Sequence, residues 1–107
     1  MMIQPISDRQ LRYWFNRINR IAFDGRLHAA FEFKNFKDGG AAYTEKVRGK
    51  DIFYIAINKK IRYSPSCTII SLAHEMIHVE HWSWGHGSRF QKRMLQVIRR
   101  AKLEKFL

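Results

Sequence analysis

Apolar and polar residues follow a helical pattern in the first part of the chain. After Ser7, apolar side chains recur three or four positions apart, and most arginines of this segment fall between them. This spacing predicts an amphipathic helix. Ser7 and Gln10 have the spacing of a capping box at its start, and Asp24-Gly25 supplies a turn that would end it. The predicted apolar stripe consists of Leu11, Trp14, Phe15, Ile18, Ile21 and Ala22.

Three short segments with strand-like alternation come next. They are residues 28–36, 41–47 and 51–58. Turn residues separate them, at Asp38-Gly39-Gly40 and at Gly49-Lys50. Short strands joined by such turns predict an antiparallel meander. In the third strand we expect Phe53, Ile55 and Ile57 to share one face of the sheet.

The rest of the chain predicts two further helices. Ser64-Pro65 fits an N-cap followed by the first helical position, and the apolar run after it extends to about Trp82, before Gly85 and Gly87. The last helix has one apolar face and is otherwise basic. The order α-β-β-β-α-α predicts an α+β fold with an N-terminal helix and a three-stranded antiparallel sheet, in one domain over residues 1–107. The apolar face of the last helix consists of Phe90, Met94, Val97, Ile98 and Ala101.

The charge balance indicates a polyanionic partner. The chain has 20 Lys and Arg against 9 Asp and Glu, a formal net charge of +11. Such a charge attracts nucleic acid above all, although solubility alone is an alternative explanation. Phosphate contacts are expected from the basic residues of two segments, and the aromatic residues between them are candidates for stacking on bases. The predicted nucleic-acid contacts are Lys59, Lys60, Arg62, Arg89, Arg93, Arg100, Trp82 and Trp84.

Composition also bears on compartment and assembly. The single cysteine, Cys67, has no internal disulfide partner, which fits a reducing compartment, and we expect it to be buried. No run of eighteen apolar residues predicts a membrane span, and the first residues lack the features of a signal peptide. We therefore predict an intracellular protein (cytoplasm, or nucleoid or nucleus) that does not associate with membranes and is a monomer.

The segment His74-Glu75-Met76-Ile77-His78 carries the strongest chemical signal in the chain. Residues four apart on a helix lie on the same face, so His74 and His78 can bind one metal ion together. Glu75 lies beside them and can accept a proton from a metal-bound water. This H-E-x-x-H arrangement is typical of a zinc peptidase, in which Zn²⁺ polarises the scissile carbonyl and Glu75 acts as the acid/base.

A catalytic zinc usually has three protein ligands and one open position. The candidates for the third ligand are Glu80, His81 and His86. His81 follows His78 on the same rigid helix and cannot easily reach the far side of the metal. We expect His86, because the chain can turn back after Trp82-Ser83-Trp84-Gly85. For stabilising the oxyanion, the candidates Tyr54, Tyr63 and Arg89 remain open.

Two blocks of the chain resemble a known family. Leu72 to His78, followed by His86-Gly87-Ser88-Arg89-Phe90, is similar to the H-E-x-x-H … H-G-x-x-F pattern of SprT-like metallopeptidase domains, the family of Spartan. Residues 15–27 resemble that family's opening helix. The resemblance implies a zincin-like fold with His74, His78 and His86 as zinc ligands and Glu75 as catalytic acid/base. It also implies cleavage of proteins associated with or crosslinked to DNA.

Two alternative functions remain open. The first is a non-enzymatic DNA-binding module with a structural or inert zinc site, which Glu80 or His81 as a fourth ligand would favour. The second is a peptidase of the ImmA type that cleaves a specific regulator. Its H-E-x-x-H motif is the same, but His86-Gly87 fits that class poorly.

Overall fold

The computed structural model describes residues 4–107, and its elements follow the order α-β-β-β-α-α. The fold is α+β, with three helices and one three-stranded sheet. Two short 3₁₀ turns follow the last strand and the last helix. The elements are α1 (Asp8–Ala22), β1 (Ala29–Lys34), β2 (Ala42–Lys46), β3 (Phe53–Asn58), a 3₁₀ turn (Lys59–Tyr63), α2 (Pro65–Glu80), α3 (Ser88–Arg100) and a 3₁₀ turn (Glu104–Phe106).

Helix α1 begins and ends as its sequence predicts. The Ser7 hydroxyl accepts a hydrogen bond from the Gln10 amide, and the Gln10 side chain accepts one from the Ser7 amide, which completes the capping box. After the helix, Asp24 and Gly25 both have positive φ, 54° and 70°. The helix buries Leu11, Phe15, Ile18 and Ala22 against the core.

The sheet is mixed, and the predicted antiparallel meander is wrong. Strand order is β1-β3-β2, with β3 in the centre. Strand β1 is parallel to β3, with Ala29 opposite Phe53, whereas β2 is antiparallel to β3, with Thr44 opposite Ile55. Among the described strands, only β2 and β3 form a hairpin, which closes at the Val47–Ile52 backbone hydrogen bond.

Asn58 at the end of β3 explains why the first predicted turn does not form a hairpin. Its side-chain amide donates to the Gly40 carbonyl, and its backbone amide donates to the Ala41 carbonyl. The segment after Asp38 therefore crosses the end of β3 instead of returning alongside β1. The most apolar strand takes the central position, where Ile55, Ala56 and Ile57 are fully buried. Turn composition and strand length do not encode this choice of neighbours.

Helices α2 and α3 complete the core. In α2, Ser64 caps the first turn and accepts from the Cys67 amide, as its sequence predicts, but the helix ends at Glu80, before Trp82. The expectation that Cys67 is buried is wrong, because its position in the first turn of α2 exposes it. Within residues 4–107, no helix combines the length and apolar character that crossing a membrane requires.

Candidate metal centre

Helix α2 presents two of the predicted metal ligands to one side. It is packed against the rest of the protein through Leu72, Ala73, Met76 and Ile77, all fully buried. The half-buried His74 and His78 lie one turn apart on the remaining face, with their Nε2 atoms 3.2 Å from each other. The packing of α2 thus places both histidines on the same side of the helix.

The third imidazole comes from the loop between α2 and α3. His86 Nε2 lies 3.1 Å from His74 Nε2 and 3.0 Å from His78 Nε2. The three nitrogens form a nearly equilateral triangle, and they are the one group of His, Cys, Asp and Glu within residues 4–107 whose ligand atoms converge closely enough to hold a metal ion. The structure therefore brings His86 to the other two histidines and leaves Glu80 and His81 outside the group.

The triangle fits a metal ion better than it fits hydrogen bonding alone. Each ring nitrogen at the centre offers either one N–H or one lone pair, so three of them cannot all be paired with one another, whereas a cation can accept a lone pair from each of the three. Tetrahedral zinc with Zn–N bonds of about 2.0–2.1 Å places neighbouring nitrogens about 3.3 Å apart. The observed separations of 3.0–3.2 Å are close to this spacing. His74, His78 and His86 can therefore hold a metal ion.

Phe90 forms the floor beneath the three imidazoles. It lies in the first turn of α3 and is 1% exposed. The centroid of its ring is 4.7 Å from that of His74, 4.9 Å from that of His78 and 5.0 Å from that of His86. Phe90 thus contacts all three candidate ligands.

Glu75 is buried beside the ligands and bonded to a residue that the sequence did not single out. The side chain of Glu75 is part of the buried surface, with the residue 7% exposed, and its Oε1 accepts a 2.8 Å hydrogen bond from the Thr44 hydroxyl. Thr44 lies on β2 and faces α2. Thr44 is paired with the buried Ile55 on β3, and this pairing would have indicated that Thr44 faces α2. The pairing depends on the strand order, which the sequence did not predict.

Burial controls the protonation of the site. It is the main cause that lowers the pKa of His74 to about 4, with smaller contributions from His78 and His86. The pKa of His78 is also lowered, mainly by burial and then by His86. Burial raises the pKa of Glu75, against the opposing effects of the Thr44 hydrogen bond and of His86. Neutral imidazoles at physiological pH are the form that binds metals.

The candidate ligands line an open cleft between β2 and the loop that carries His86. Its volume is about 410 Å³, large enough for a few residues of an extended peptide. Tyr43 and Thr44 come from β2, an edge strand, and Trp82 and Trp84 come from the loop. The lining residues are Ala42, Tyr43, Thr44, His74, Glu75, His78, Trp82, Trp84 and His86.

Arg93, one of the predicted nucleic-acid contacts, forms an ion pair with Glu80 behind the site. Arg93 donates to both Glu80 oxygens, at 2.8 and 2.9 Å, and to the Ala22 carbonyl at 2.7 Å. Its side chain is only 13% exposed. Its guanidinium joins α3 to the ends of α2 and α1, and contact of Arg93 with nucleic acid remains a prediction. A basic residue on a helix face gives no sequence signal for such a partner.

The other predicted nucleic-acid contacts lie on several surfaces. Lys59 and Lys60 are exposed in the first 3₁₀ turn, where Arg62 is half-buried over Phe33 and donates to the Ile6 carbonyl. That turn packs on α2, β1 and β3, whereas α3, with the exposed Arg89 and Arg100, packs on α1 and α2. Contact with nucleic acid remains a prediction for these residues.

The two tryptophans differ in environment. Trp82 is 44% exposed and contacts Phe53, with ring centroids 5.7 Å apart. Trp84 is half-buried, and His81 covers one face of its indole in a parallel stack, 3.7 Å between centroids and 8° between planes. Trp82 thus has more free surface for a base or a peptide side chain.

The oxyanion candidates are placed unequally. Tyr54 is not at the site: it lies on the outer face of the sheet, where its hydroxyl donates to Glu32 and its pKa is raised to about 12, mainly by burial. Tyr63 is 58% exposed in the first 3₁₀ turn and does not line the cleft. Arg89 follows His86 by three residues and contacts Trp84 at the cleft edge.

Comparisons with known protein families, with curated proteins and with solved structures found no match.

Proposed function

We propose that this protein is a zinc-dependent endopeptidase. The observation that supports this most strongly is the combination of three convergent imidazole nitrogens with a buried carboxyl group, Glu75, at the bottom of an open cleft. Three nitrogen ligands with an open side are the donor set of catalytic zinc. The resemblance to SprT-like domains points to the same ligands and the same acid/base.

The neighbouring side chains suit the chemistry of peptide hydrolysis. Bound zinc would supply Lewis acidity toward a carbonyl oxygen and toward water. Thr44 holds Oε1 of Glu75, while Oε2 has no hydrogen bond to any of the described residues. Oε2 is therefore free to accept a proton and to return it to the leaving amine.

A structural zinc site is the alternative that the geometry disfavours. Such a site is normally closed by four protein ligands. Of the two candidates for closing it, Glu80 is held by Arg93 and Arg26, and His81 is stacked on Trp84. Neither side chain points its ligand atom at the three imidazoles within the described residues.

Association with DNA is part of the proposal. It is supported by the net charge of +11 and by exposed basic residues in the first 3₁₀ turn and in α3. Together with the resemblance to SprT-like domains, this favours substrates that are bound or crosslinked to DNA.

The test compares the wild type with Glu75→Gln, which removes the acid/base while keeping its shape. Each protein is incubated with Zn²⁺, DNA and a DNA-bound protein, and fragments, including those from self-cleavage, are followed by gel and mass spectrometry. We expect cleavage by the wild type only, although each of the two proteins should bind one zinc ion. Equal cleavage by both would refute the role of Glu75, and absence of zinc from the wild type would refute the function itself.

A further inference from the structure

His86 is the one candidate ligand that lies outside a helix or strand. It lies in the loop of residues 81–87, whereas His74 and His78 lie on α2. If this loop moved away, two ligands would remain and the affinity for metal would fall. From α3, Phe90 contacts the His86 ring and the Gln91 side chain donates to the His86 carbonyl at 3.5 Å, and contacts within the loop add to these.

A stack of two rings holds the middle of this loop. The indole of Trp84 lies flat on the imidazole of His81, with centroids 3.7 Å apart and planes 8° apart. The Trp84 amide donates to the His81 carbonyl at 3.0 Å, and the guanidinium carbon of Arg89 lies 5.2 Å from the indole centroid. Trp84 is thus bound to the end of α2 on one side of His86 and to the start of α3 on the other.

His81, one of the two stacked residues, is itself in contact with a buried ion pair. His81 Nε2 lies 3.4 Å from Oε1 of Glu80, and Glu80 is held by Arg93 from α3. The Glu80 side chain is 7% exposed. A continuous set of contacts therefore runs from the buried ion pair through His81 to Trp84, two residues before His86.

We propose that Trp84 and His81 are positioning residues for the metal centre. Their stack keeps residues 81–87 in the conformation that places His86 Nε2 opposite His74 and His78 before a metal arrives. This preorganisation raises affinity by removing the cost of ordering the loop on binding. The inference rests on the metal-binding part of the proposed function and is independent of peptide cleavage.

Three variants test the stack against simple loss of apolar volume. Trp84→Phe keeps an aromatic ring over His81, whereas Trp84→Leu keeps apolar bulk without a stack. Trp82→Leu is the matched control, because Trp82 is in the same loop and cleft but packs on Phe53. Zn²⁺ affinity is measured by competition with a chromophoric chelator, and the coordination of Co²⁺ by its visible absorption. Circular dichroism of the metal-free proteins verifies folding.

We expect Trp84→Leu to bind Zn²⁺ about 3- to 10-fold more weakly than wild type, the range that loss of one aromatic stack gives. Trp84→Phe and Trp82→Leu should stay within about 2-fold. The double variant His81→Ala/Trp84→Leu should lose less Zn²⁺ affinity than the sum of the losses in the two single variants, since both substitutions remove the same stacking interaction.

Two other outcomes would separate failure of the positioning role from failure of the proposed function. If Trp84→Leu binds as tightly as Trp84→Phe, the stack does not position His86 and the inference fails while the proposed function stands. If the wild type binds no Zn²⁺, the proposed function fails and this inference fails with it.

Discussion

Replacing Glu80 with Gln should destabilise the fold by breaking a largely buried ion pair. Glu80 accepts two hydrogen bonds from Arg93, and a third, 3.1 Å long, from Arg26. The side chains of Glu80 and Arg93 are 7% and 13% exposed, so the pair is largely shielded from water, whereas Arg26 is 60% exposed and contributes little.

The loss of stability in Glu80→Gln depends on the hydrogen bonds that remain to Arg93. The amide of Gln accepts hydrogen bonds through one oxygen only, and its NH₂ group faces the N–H donors of Arg93. Arg93 then keeps only the Ala22 carbonyl and a weak contact to Gln96 as partners. Hydrogen bonds to charged groups contribute about 1.5–3 kcal/mol, and breaking a fully buried ion pair costs about 3–5 kcal/mol. Residual exposure of Arg93 places the expected loss at about 2–4 kcal/mol.

Thermal and urea unfolding of the metal-free protein, followed by circular dichroism, measure this loss. For a chain of this length, about 2–4 kcal/mol corresponds to a fall in Tm of roughly 9–18 °C. Glu45→Gln is the matched control, because it removes the same charge from an exposed position on β2. A loss of stability from Glu80→Gln no larger than that from Glu45→Gln would refute the argument that the ion pair holds α3 to the ends of α2 and α1.

Three further predictions concern the site and its surroundings. Thr44→Val should lower peptide turnover about 10-fold at unchanged zinc content, because the Glu75 carboxyl loses its charge-assisted hydrogen bond. Thr44→Ser keeps the hydroxyl and should restore turnover. Equal turnover rates for the Val and Ser variants would rule out a role for this hydrogen bond. The folded pKa of His74, about 4, lies below its ordinary value of 6.5, so its neutral form stabilises the metal-free fold above pH 6.5, and this contribution is lost as pH falls to about 4. Urea unfolding across this range should show a shallower decline for His74→Gln, and parallel curves would contradict the assignment. Affinity for DNA should fall steeply with salt, with a slope about one unit smaller for Lys60→Gln, and a response that is independent of salt would exclude electrostatic binding.

The sequence predicted the parts of the fold that local chemistry determines. The capping box at Ser7, the N-cap at Ser64 and the apolar stripe of α1 depend on residues within one or two turns of each other, and all are present. The order of strands was predicted wrongly, because it depends on Asn58 holding the segment around Gly40 across the end of β3. This contact spans 18 positions and has no local signature.

The same distinction holds at the candidate metal centre. His74 and His78 share a helix face by spacing alone, and His86 was expected from the need for a ligand on another side of the metal. Thr44, by contrast, reaches Glu75 across 31 positions, through a strand whose neighbour was predicted wrongly. Arg93 was interpreted as a surface charge because the sequence does not show that Glu80 lies beneath it.

The way α2 is held bears on what a metal does for this protein. Four fully buried residues of α2, Leu72, Ala73, Met76 and Ile77, pack in the hydrophobic core on the side away from the imidazoles. The fold therefore does not depend on the metal for a core, unlike a small structural zinc domain, which unfolds without it. Removal of zinc with a chelator should leave the circular dichroism spectrum unchanged. Adding Zn²⁺ at about 100 times its Kd should stabilise the fold by about 2.7 kcal/mol through mass action alone. Unfolding on chelation would instead show that the three imidazoles need a metal to support the fold, and would favour a structural zinc site.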